Sequence, residues 1–383
     1  MSKSNETTPN VPTLRFKQFQ DNWLSKRLSD IAEVVGGGTP DTTDSTLWNG
    51  DIQWFTPTEV GHSKYVSMSV RTISQLGLQK SSAKILPAGS ILLSSRATVG
   101  ECSIAQKDCT TNQGFQSLIP KKSVNNEFLY YLAQTQKRHF IKYASGSTFL
   151  EISNSEIKKT KCAVPSIEEQ TEIATFLSAI DRKIEVQNKI ISKYETLIKG
   201  IRERVVNGGW QWKRLDELIQ EGVVRLNRGN IIPKHQKDNT YKYPVYSSST
   251  QNNGLMGYND TYMFDKELIT WSIDGGGNFF YRKKHKFNVT NVCGIMQVDE
   301  NVYSYRFIEE MLTYQHSKMK FDYQSKAHPS VISSLYSLPC LPISEQNFYC
   351  QLFIALDKKM YIEQCSLNKL KEQKKYLLSK MFI

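Results

Sequence analysis

No run of 18 apolar residues occurs in the 383-residue chain, which excludes a membrane-spanning helix by length. Met1-Ser2-Lys3-Ser4-Asn5 does not begin like a secretory leader, so the sequence predicts a soluble, cytoplasmic protein that is not exported. Cysteine is sparse at seven, an odd number without a Cys-x-x-Cys pair. That count argues against a disulfide framework and a thiolate zinc site, and it fits a reducing compartment. The six histidines show no metal-ligand spacing. There is no Gly-x-x-x-x-Gly-Lys-Ser/Thr phosphate loop, and Gly36-Gly37-Gly38 lacks the lysine such a loop needs. No Asn-Pro-Pro-Tyr-like run for amino methylation is present. Gly275-Gly276-Gly277 leads into Asn278-Phe279-Phe280, which is no dinucleotide fingerprint. The expectation is a chain without catalytic residues that holds no cofactor or metal of its own.

Positive charge is abundant. Lys+Arg number 49 against 37 Asp+Glu, for a net charge of +12. Residues 1–163 hold 19 against 13 and residues 207–340 hold 16 against 13, so nine of the twelve excess charges lie in these two regions. A polyanion such as DNA or RNA is the natural partner for that excess. At this length there is room for two or three domains.

The chain is organised around a stretch that occurs twice. From Ser166 to Val206, Ile173, Leu177, Ile180, Ile184, Gln187, Ile191, Tyr194, Ile198 and Ile201 alternate in steps of four and three. This is the narrow a/d seam of a coiled coil. Ser166-Ile167-Glu168-Glu169, after Pro165, has the form of a capping box, and Asn207-Gly208-Gly209 forms a stop. A helix about 60 Å long follows at ~1.5 Å per residue. Pro342-Ile343-Ser344-Glu345-Gln346 answers Pro165 to Gln170, one residue shorter, and Ala355-Leu356-Asp357 answers Ala179-Ile180-Asp181. The second seam runs Tyr349, Phe353, Leu356, Met360, Glu363, Leu367, Leu370, Lys374, Leu377. Gln187 and Glu363 interrupt the two seams, where a polar residue can fix register.

The repeat extends beyond the helices. Trp23 to Ile31 matches Trp210 to Leu218, and each match opens a region of short apolar runs broken by turn residues. Ile52–Phe55, Lys84–Leu86, Ile91–Leu93, Tyr243–Tyr246, Leu268–Trp271 and Phe279–Tyr281 read as strands, with Pro87-Ala88-Gly89 as a turn. Asn126 to Ile141 and Ser304 to Tyr314 read as helices. Ser272 and Gly277 fall opposite Ser95 and Gly100, and Thr290-Asn291 opposite Thr111-Asn112. The expected fold class is α+β, with two similar domains separated by an antiparallel two-helix coiled coil in a pseudo-two-fold internal repeat. The second helix must run back toward the first domain, since no third domain follows it. The expected segments are a disordered N-terminus (1–11), domain one (12–163), spacer helix one (164–207), domain two (208–340) and spacer helix two (341–383). A two-fold arrangement suits a bipartite DNA site.

With Pro12-Thr13-Leu14-Arg15-Phe16 and Trp23, Gly36 to Pro40, Trp48 to Trp54, Asn112-Gln113-Gly114-Phe115, Tyr243 to Ser248 and the two Pro…Glu-Gln helix starts, the sequence resembles the specificity subunit of type I restriction–modification systems over nearly its whole length. The resemblance implies two target-recognition domains, each reading one half of an asymmetric, interrupted DNA sequence. It implies helices that dock two methyltransferase (modification) subunits. S-adenosylmethionine would belong to those subunits, and ATP with Mg²⁺ to restriction (translocase and nuclease) subunits that join them. A free-standing DNA-modifying enzyme and an RNA-binding coiled-coil adaptor are the alternatives.

Base-reading side chains must be long, polar and on loops, with Arg or Lys suited to guanine and Asn or Gln to adenine. Arg96, Thr98 and Gln113 are the candidates in domain one. Tyr246, Ser248, Thr250, Asn253 and Asn278 are those in domain two. The basic run Arg282, Lys283, Lys284 and Lys286 reads either as a phosphate contact or as a solvated hairpin tip. Gly275–Gly277 reads either as a flexible turn or as a loop that lets backbone approach a phosphate. Trp48 and Trp54 read as core.

Overall fold

The computed structural model of the chain describes residues 10–146, 150–232, 242–249, 251–274, 276–319 and 326–383. The expected disorder of residues 1–11 lies almost wholly outside the described residues. The chain divides into two compact units, Met1–Asn188 with Cys365–Ile383, and Lys189–Gln364. Each unit therefore takes half of each long helix, which cuts across the segments expected from sequence.

Unit 1 holds strands β1 (Leu24–Arg27), β2 (Ala32–Gly36), β3 (Trp48–Phe55), β4 (Tyr65–Val66), β5 (Arg71–Ile73), β6 (Ile91–Leu93), β7 (Cys102–Ala105), β8 (Cys109–Thr111), β9 (Gln116–Pro120) and β10 (Lys161–Val164). They form a five-stranded sheet β2-β9-β6-β7-β4, a three-stranded sheet β5-β3-β8 and the pair β1-β10. Unit 2 holds β11 (Trp212–Arg214), β12 (Val224–Arg228), β13 (Tyr243–Tyr246), β14 (Leu255–Asn259), β15 (Phe264–Asp265), β16 (Leu268–Ser272), β17 (Phe279–Arg282), β18 (Lys286–Val289), β19 (Cys293–Val298) and β20 (Ser337–Pro339). Its sheets are β12-β19-β16-β17, β14-β13-β18-β15 and β11-β20. The orders match at every strand but one, since β4 extends the first sheet of unit 1 beside β7 whereas β15 joins the second sheet of unit 2 beside β18, and the parallel pair β3·β8 recurs as β13·β18. One mixed α+β scheme is thus built twice.

Hydrogen bonds fix the equivalence to the residue. Ser94 N bonds Glu101 O and Gly100 N bonds Ser94 O, as Ser272 N bonds Asn278 O and Gly277 N bonds Ser272 O. Asn112 N bonds Phe55 O as Thr290 N bonds Tyr246 O. Ser272 therefore answers Ser94, not Ser95, and Thr290-Asn291 answers Asn112-Gln113, not Thr111-Asn112. The one-residue error matters because neighbouring strand residues face opposite sides.

Three local expectations are corrected. Lys84–Leu86 is no strand; only Leu86 makes a bridge, to Cys109, and Pro87 follows without an amide hydrogen to extend a ladder. The helix expected over 126–141 is two, Asn126–Thr135 and Lys137–Tyr143, divided at Gln136. The capping box of the first long helix is half made. The Glu169 amide donates to the Ser166 hydroxyl oxygen at 3.4 Å, but the Glu169 carboxylate accepts from Arg15 at 2.7 Å and from the Trp23 indole at 3.2 Å.

The long helices run Ile167–Val206 and Ile343–Met381. In unit 1, Ile173, Leu177 and Ile180 of the first join Leu377, Met381 and Phe382 of the second in one core with Leu28, Ile91, Leu118 and Phe128. Lys374 pairs with Asp181 at 2.7 Å. In unit 2, Val205 of the first joins Cys350 of the second. Late residues of one helix meet early residues of the other in each unit, so the pairing is antiparallel. Among the remaining seam candidates, Phe353 and Leu367 are buried and Ile184, Ile191, Leu356 and Met360 half-buried. Replacing Leu177 by Asp puts a carboxylate into that core and is expected to cost about 3–5 kcal/mol. Val186→Asp, on a side chain 55% exposed, should cost under about 1 kcal/mol. Urea melts of the two variants check this; similar midpoints would contradict the seam.

A buried glutamine joins each domain to its helix. Gln170 donates to Pro165 O at 3.0 Å and accepts from Asn125 N at 3.0 Å, where the helix Asn126–Thr135 begins. Gln346 donates to Leu341 O at 2.9 Å and accepts from Ser304 N at 3.0 Å, where the helix Tyr305–Lys318 begins. Buried amides must find such partners, which accounts for the repeated Glu-Gln.

Unit 2 also buries an unbalanced ion cluster. Arg306 binds Glu309, Glu310 and Asp357 (2.6 Å to the last), and Arg202 binds Glu310 at 2.5 Å. Burial, with Glu310 alongside and despite Arg306, pushes the Glu309 carboxyl up to about 7. A raised carboxyl stabilises the fold fully below its unfolded pKa and loses that contribution as pH rises through the folded one. Stability should therefore fall between pH 6 and 8 by on the order of 1 kcal/mol. Glu309→Gln should flatten this fall in melts at the two pH values; an unchanged slope would contradict it.

Candidate nucleic-acid interface

Three loops of unit 1 leave β3, β6 and β8 at the same end of the sheets. Pro57, Thr58, Arg96, Ala97, Asn112, Gln113 and Gly114 line a cleft there of about 300 Å³. Asn112 is pinned by its amide to Phe55 O at 3.0 Å, and Ser95 N to Gly114 O at 2.8 Å. Gly114 N caps on the Asn112 side chain at 2.9 Å. The glycine run explains itself: a Cβ on Gly37 would lie 2.1 Å from Asn112 O and 2.4 Å from Thr111 O. The bare backbone of this loop packs behind the turn, and the Thr39 hydroxyl donates to the Gln113 side-chain carbonyl. Gln113, Arg96 and Thr98 are exposed. Arg96 pairs with Glu151 at 3.7 Å, and Thr98 bonds Ser94 at 3.0 Å. Between them Ala97 has φ +62°, a conformation that costs a non-glycine residue about 1–3 kcal/mol and persists where surroundings impose it. Of the expected trio, Arg96 and Gln113 line this cleft, and Thr98 lies beside it on the same loop without lining it. Trp48 and Trp54 are core, edge to face at 5.0 Å, with their indoles bonded to Asp41 O and Gly38 O.

In unit 2 the same frame carries other side chains. Gly229 repeats the close approach, with Val289 O 2.2 Å and Thr290 O 2.4 Å from a notional Cβ. Ser248 takes the place of Pro57, and its carbonyl accepts from Ser272 at 2.7 Å. Asn253 is exposed on a turn with φ +52°. Asn278 follows the loop ending at Gly277 and is half-buried. Thr250 and Gly275 lie outside the described residues. Lys283, Lys284 and Lys286 are exposed at the hairpin tip, but Arg282 is not: it is 4% exposed, with its guanidinium 3.6 Å from the Tyr246 ring centroid. Both readings of the basic run, as phosphate contacts and as a solvated hairpin tip, need surface cations, and Arg282 is not one, because alternation along β17 turns residue 282 inward.

Two further candidate residues escape the sequence reading. Asn291 holds the position of Gln113, hidden by the one-residue offset. Asp274 holds that of Arg96 and pairs with Lys326 at 3.3 Å, the Arg96–Glu151 pair with its signs reversed. A second cleft of about 440 Å³ lies among Asn227, Arg228, Asn230, Met263, Phe264, Ile295 and Gln297; polar residues on β12 were the available signal. Among the described residues no group of His, Cys, Asp or Glu is gathered that could hold a metal ion. No helix among them is long and apolar enough to cross a membrane. Burial holds the Cys102, Cys109 and Cys162 thiols up at about 12, well away from nucleophilic use.

Comparison with known proteins agrees with this duplicated frame. The family described as type I restriction modification DNA specificity domain matches twice, over residues 20–196 and 207–374. The type I restriction enzyme MjaIX specificity subunit of Methanocaldococcus jannaschii is 36% identical over 240 residues, 56% of this chain and 54% of that protein. The EcoprrI specificity subunit of Escherichia coli is 26% identical over 306 residues, 71% and 73%. The chain spans about half the length of the first curated relatives it matches, 54% and 42% for MjaIX and the Haemophilus influenzae HindI subunit. In fold, the crystal structure of the S subunit of a type I restriction–modification system from M. genitalium aligns with a TM-score of 0.63 at 17% identity, over 97% of this chain and 99% of that one. A chain from a structure of type I complex assembly aligns at 0.54 and 14% identity, over 94% and 97%. With most of its length matched in two successive copies, the chain belongs to the type I restriction–modification DNA specificity domain family.

Proposed function

We propose that the chain is the non-catalytic DNA-recognition subunit of a type I restriction–modification complex, each unit reading one half of a bipartite, asymmetric target. The observation that carries this reading is one loop frame displayed twice with different polar side chains: Arg96 and Gln113 in unit 1, Asp274 and Asn291 in unit 2. Arg suits guanine, Gln and Asn suit adenine, and Asp accepts from cytosine, so equal frames would read unequal halves. Thr98, Ser248, Asn253 and Asn278 flank these positions, and Lys283, Lys284 and Lys286 supply phosphate contacts that orient without specifying. The long helices dock two modification subunits, for which exposed Phe176, Val186, Tyr361 and Ile362 offer apolar surface. S-adenosylmethionine sits on those subunits, ATP and Mg²⁺ on restriction subunits, and the assembly works in the cytoplasm.

Anisotropy titrations of the full chain on duplex DNA and on duplex RNA, at 50 and 200 mM salt as stated conditions for an order-of-magnitude comparison, test the reading. Tighter binding to DNA, weakening steeply with salt, is the expected result. Equal or tighter binding to RNA would favour the adaptor reading and overturn this one.

A further inference from the structure

Arg282 carries a charge that the fold neither needs nor balances. Its Nε donates to the Thr270 hydroxyl at 2.9 Å, and its guanidinium lies flat enough on Tyr246 for a 3.6 Å approach to the ring centroid, with Phe280 5.0 Å away. Its Nη2 is buried with no hydrogen-bond partner. No carboxylate among the described residues lies within ion-pair distance of it. Burial pulls its pKa down to about 10, the sign of a cation held at a cost.

Unit 1 builds the same place without charge. By the sheet register, Ala105 answers Arg282, Leu92 answers Thr270 and Phe55 answers Tyr246. These three unit 1 residues form one apolar cluster. The frame therefore closes with apolar residues, and replacing buried charge by such residues is often neutral or stabilising. An arginine kept here does something packing does not require.

Its surroundings say what. Ser247 N bonds Gly254 O at 2.8 Å, which brings Asn252, Asn253 and Gly254 back over Arg282. Asn252, Asn253 and Gly254 are successively left-handed at φ +49°, +52° and +79°. A Cβ on Gly254 would be 3.3 Å from Arg282 Nη2, which sets the guanidinium directly beneath this turn. On the other side, Tyr246 OH meets His285 Nε2 at 3.2 Å, and His285 Nδ1 meets Lys283 O at 2.6 Å. One planar cation thus supports a strained turn and, through Tyr246, the basic tip.

We propose that Arg282 is a positioning residue for unit 2: its guanidinium, clamped between Thr270 and the Tyr246 ring, holds the Asn252-Asn253-Gly254 turn in the conformation that presents Asn253 and Ser248 to DNA. The inference rests on the DNA-recognition reading above. Lysine cannot replace it, because an ammonium lacks the flat, forked geometry.

The test uses the full chain and a panel of duplexes altered in one half-site at a time. Arg282→Met and Arg282→Lys should each lower discrimination at the unit 2 half by 10-fold or more, leave the unit 1 half unchanged, and leave the slope of log affinity on log salt unchanged. A slope reduced by about one would mean direct phosphate contact and would overturn the proposal, as would full discrimination in both variants. If Arg282→Met fails to fold by circular dichroism, Thr270→Val decides: it removes only the Nε acceptor and should give a partial loss confined to the unit 2 half, whereas no loss would overturn the proposal. Wild-type protein with no preference at either half would instead refute the recognition reading itself.

Discussion

Exchanging residues 210–335 for the corresponding segment of a family member with a different target is expected to change one half of the methylated sequence and leave the other half and the spacing intact. Every candidate contact of unit 2 lies in that segment, and most of its core travels with it: Trp271, Met296 and Phe307 on one side of the sheets, Leu268, Phe287 and Ile295 on the other, while Val205, Tyr336, Leu338 and Cys350 stay with the retained chain. The exchange must respect the seats on the retained helices. Arg202 needs the carboxylate of Glu310, and Asp357 needs Arg306. Arg202 is 25% exposed and Asp357 50%, so stranding the first should cost on the order of 1–3 kcal/mol and the second under about 1 kcal/mol, and the donor should carry Arg and Glu at those two places. Methylome sequencing of cells supplied with the hybrid and its modification partner reads the outcome. Alteration of both halves would contradict the modularity of the two units.

A single methyl group in the wrong place is expected to do nearly as much damage to unit 1. Gly37→Ala puts a Cβ 2.1 Å from Asn112 O and 2.4 Å from Thr111 O. Both are backbone atoms, and neither can swing aside. Relief requires the Gly36–Thr39 loop or the Asn112–Gly114 turn to move, at a cost of at least about 1–3 kcal/mol. Either motion displaces Gln113, so discrimination at the unit 1 half should fall together with stability. Gly229→Ala, against Val289 O and Thr290 O, should do the same to unit 2 alone. Gly200→Ala is the control. Nothing lies within 4 Å of its notional Cβ, and it sits inside the first long helix, where alanine is favoured over glycine by about 0.5–1 kcal/mol. Denaturant melts with half-site binding assays should place the three in that order; a Gly37→Ala protein with wild-type stability and specificity would contradict the close-approach argument.

The sequence displays the long helices plainly because a seam repeated over nine positions is a strong periodic signal, and the second copy doubles it. It displays the duplication for the same reason. The sheets are less visible. Many strands have only two to four residues, as Tyr65–Val66 and Phe264–Asp265 do, too few for alternation to register. Leu86 looks like strand and contributes one bridge. The loops are harder still. Arg96, Thr98 and Gln113 are identifiable as long or polar residues between apolar runs, but the convergence of Arg96 and Gln113 on one cleft depends on sheet order, a non-local property. Asn291 and Asp274 were masked because matching serines at 95 and 272 set the repeats one residue out of register. Arg282 was hidden by its neighbours: beside Lys283 and Lys284 it reads as one more solvated cation, and only strand alternation separates it from them. The Glu169 carboxylate shows the reverse case, where a local capping pattern loses to a tertiary partner, Arg15, 154 residues away in sequence.

The central claim is that one chain reads two separate half-sites, one with each unit. Methylome sequencing of cells carrying this chain with its modification partner, in parallel with a Gln113→Ala variant, tests it most directly. The account predicts an interrupted motif of two short fixed halves, with the variant relaxing one position in one half by about 1–3 kcal/mol of discrimination. A continuous motif, or a variant that relaxes both halves together, would contradict it.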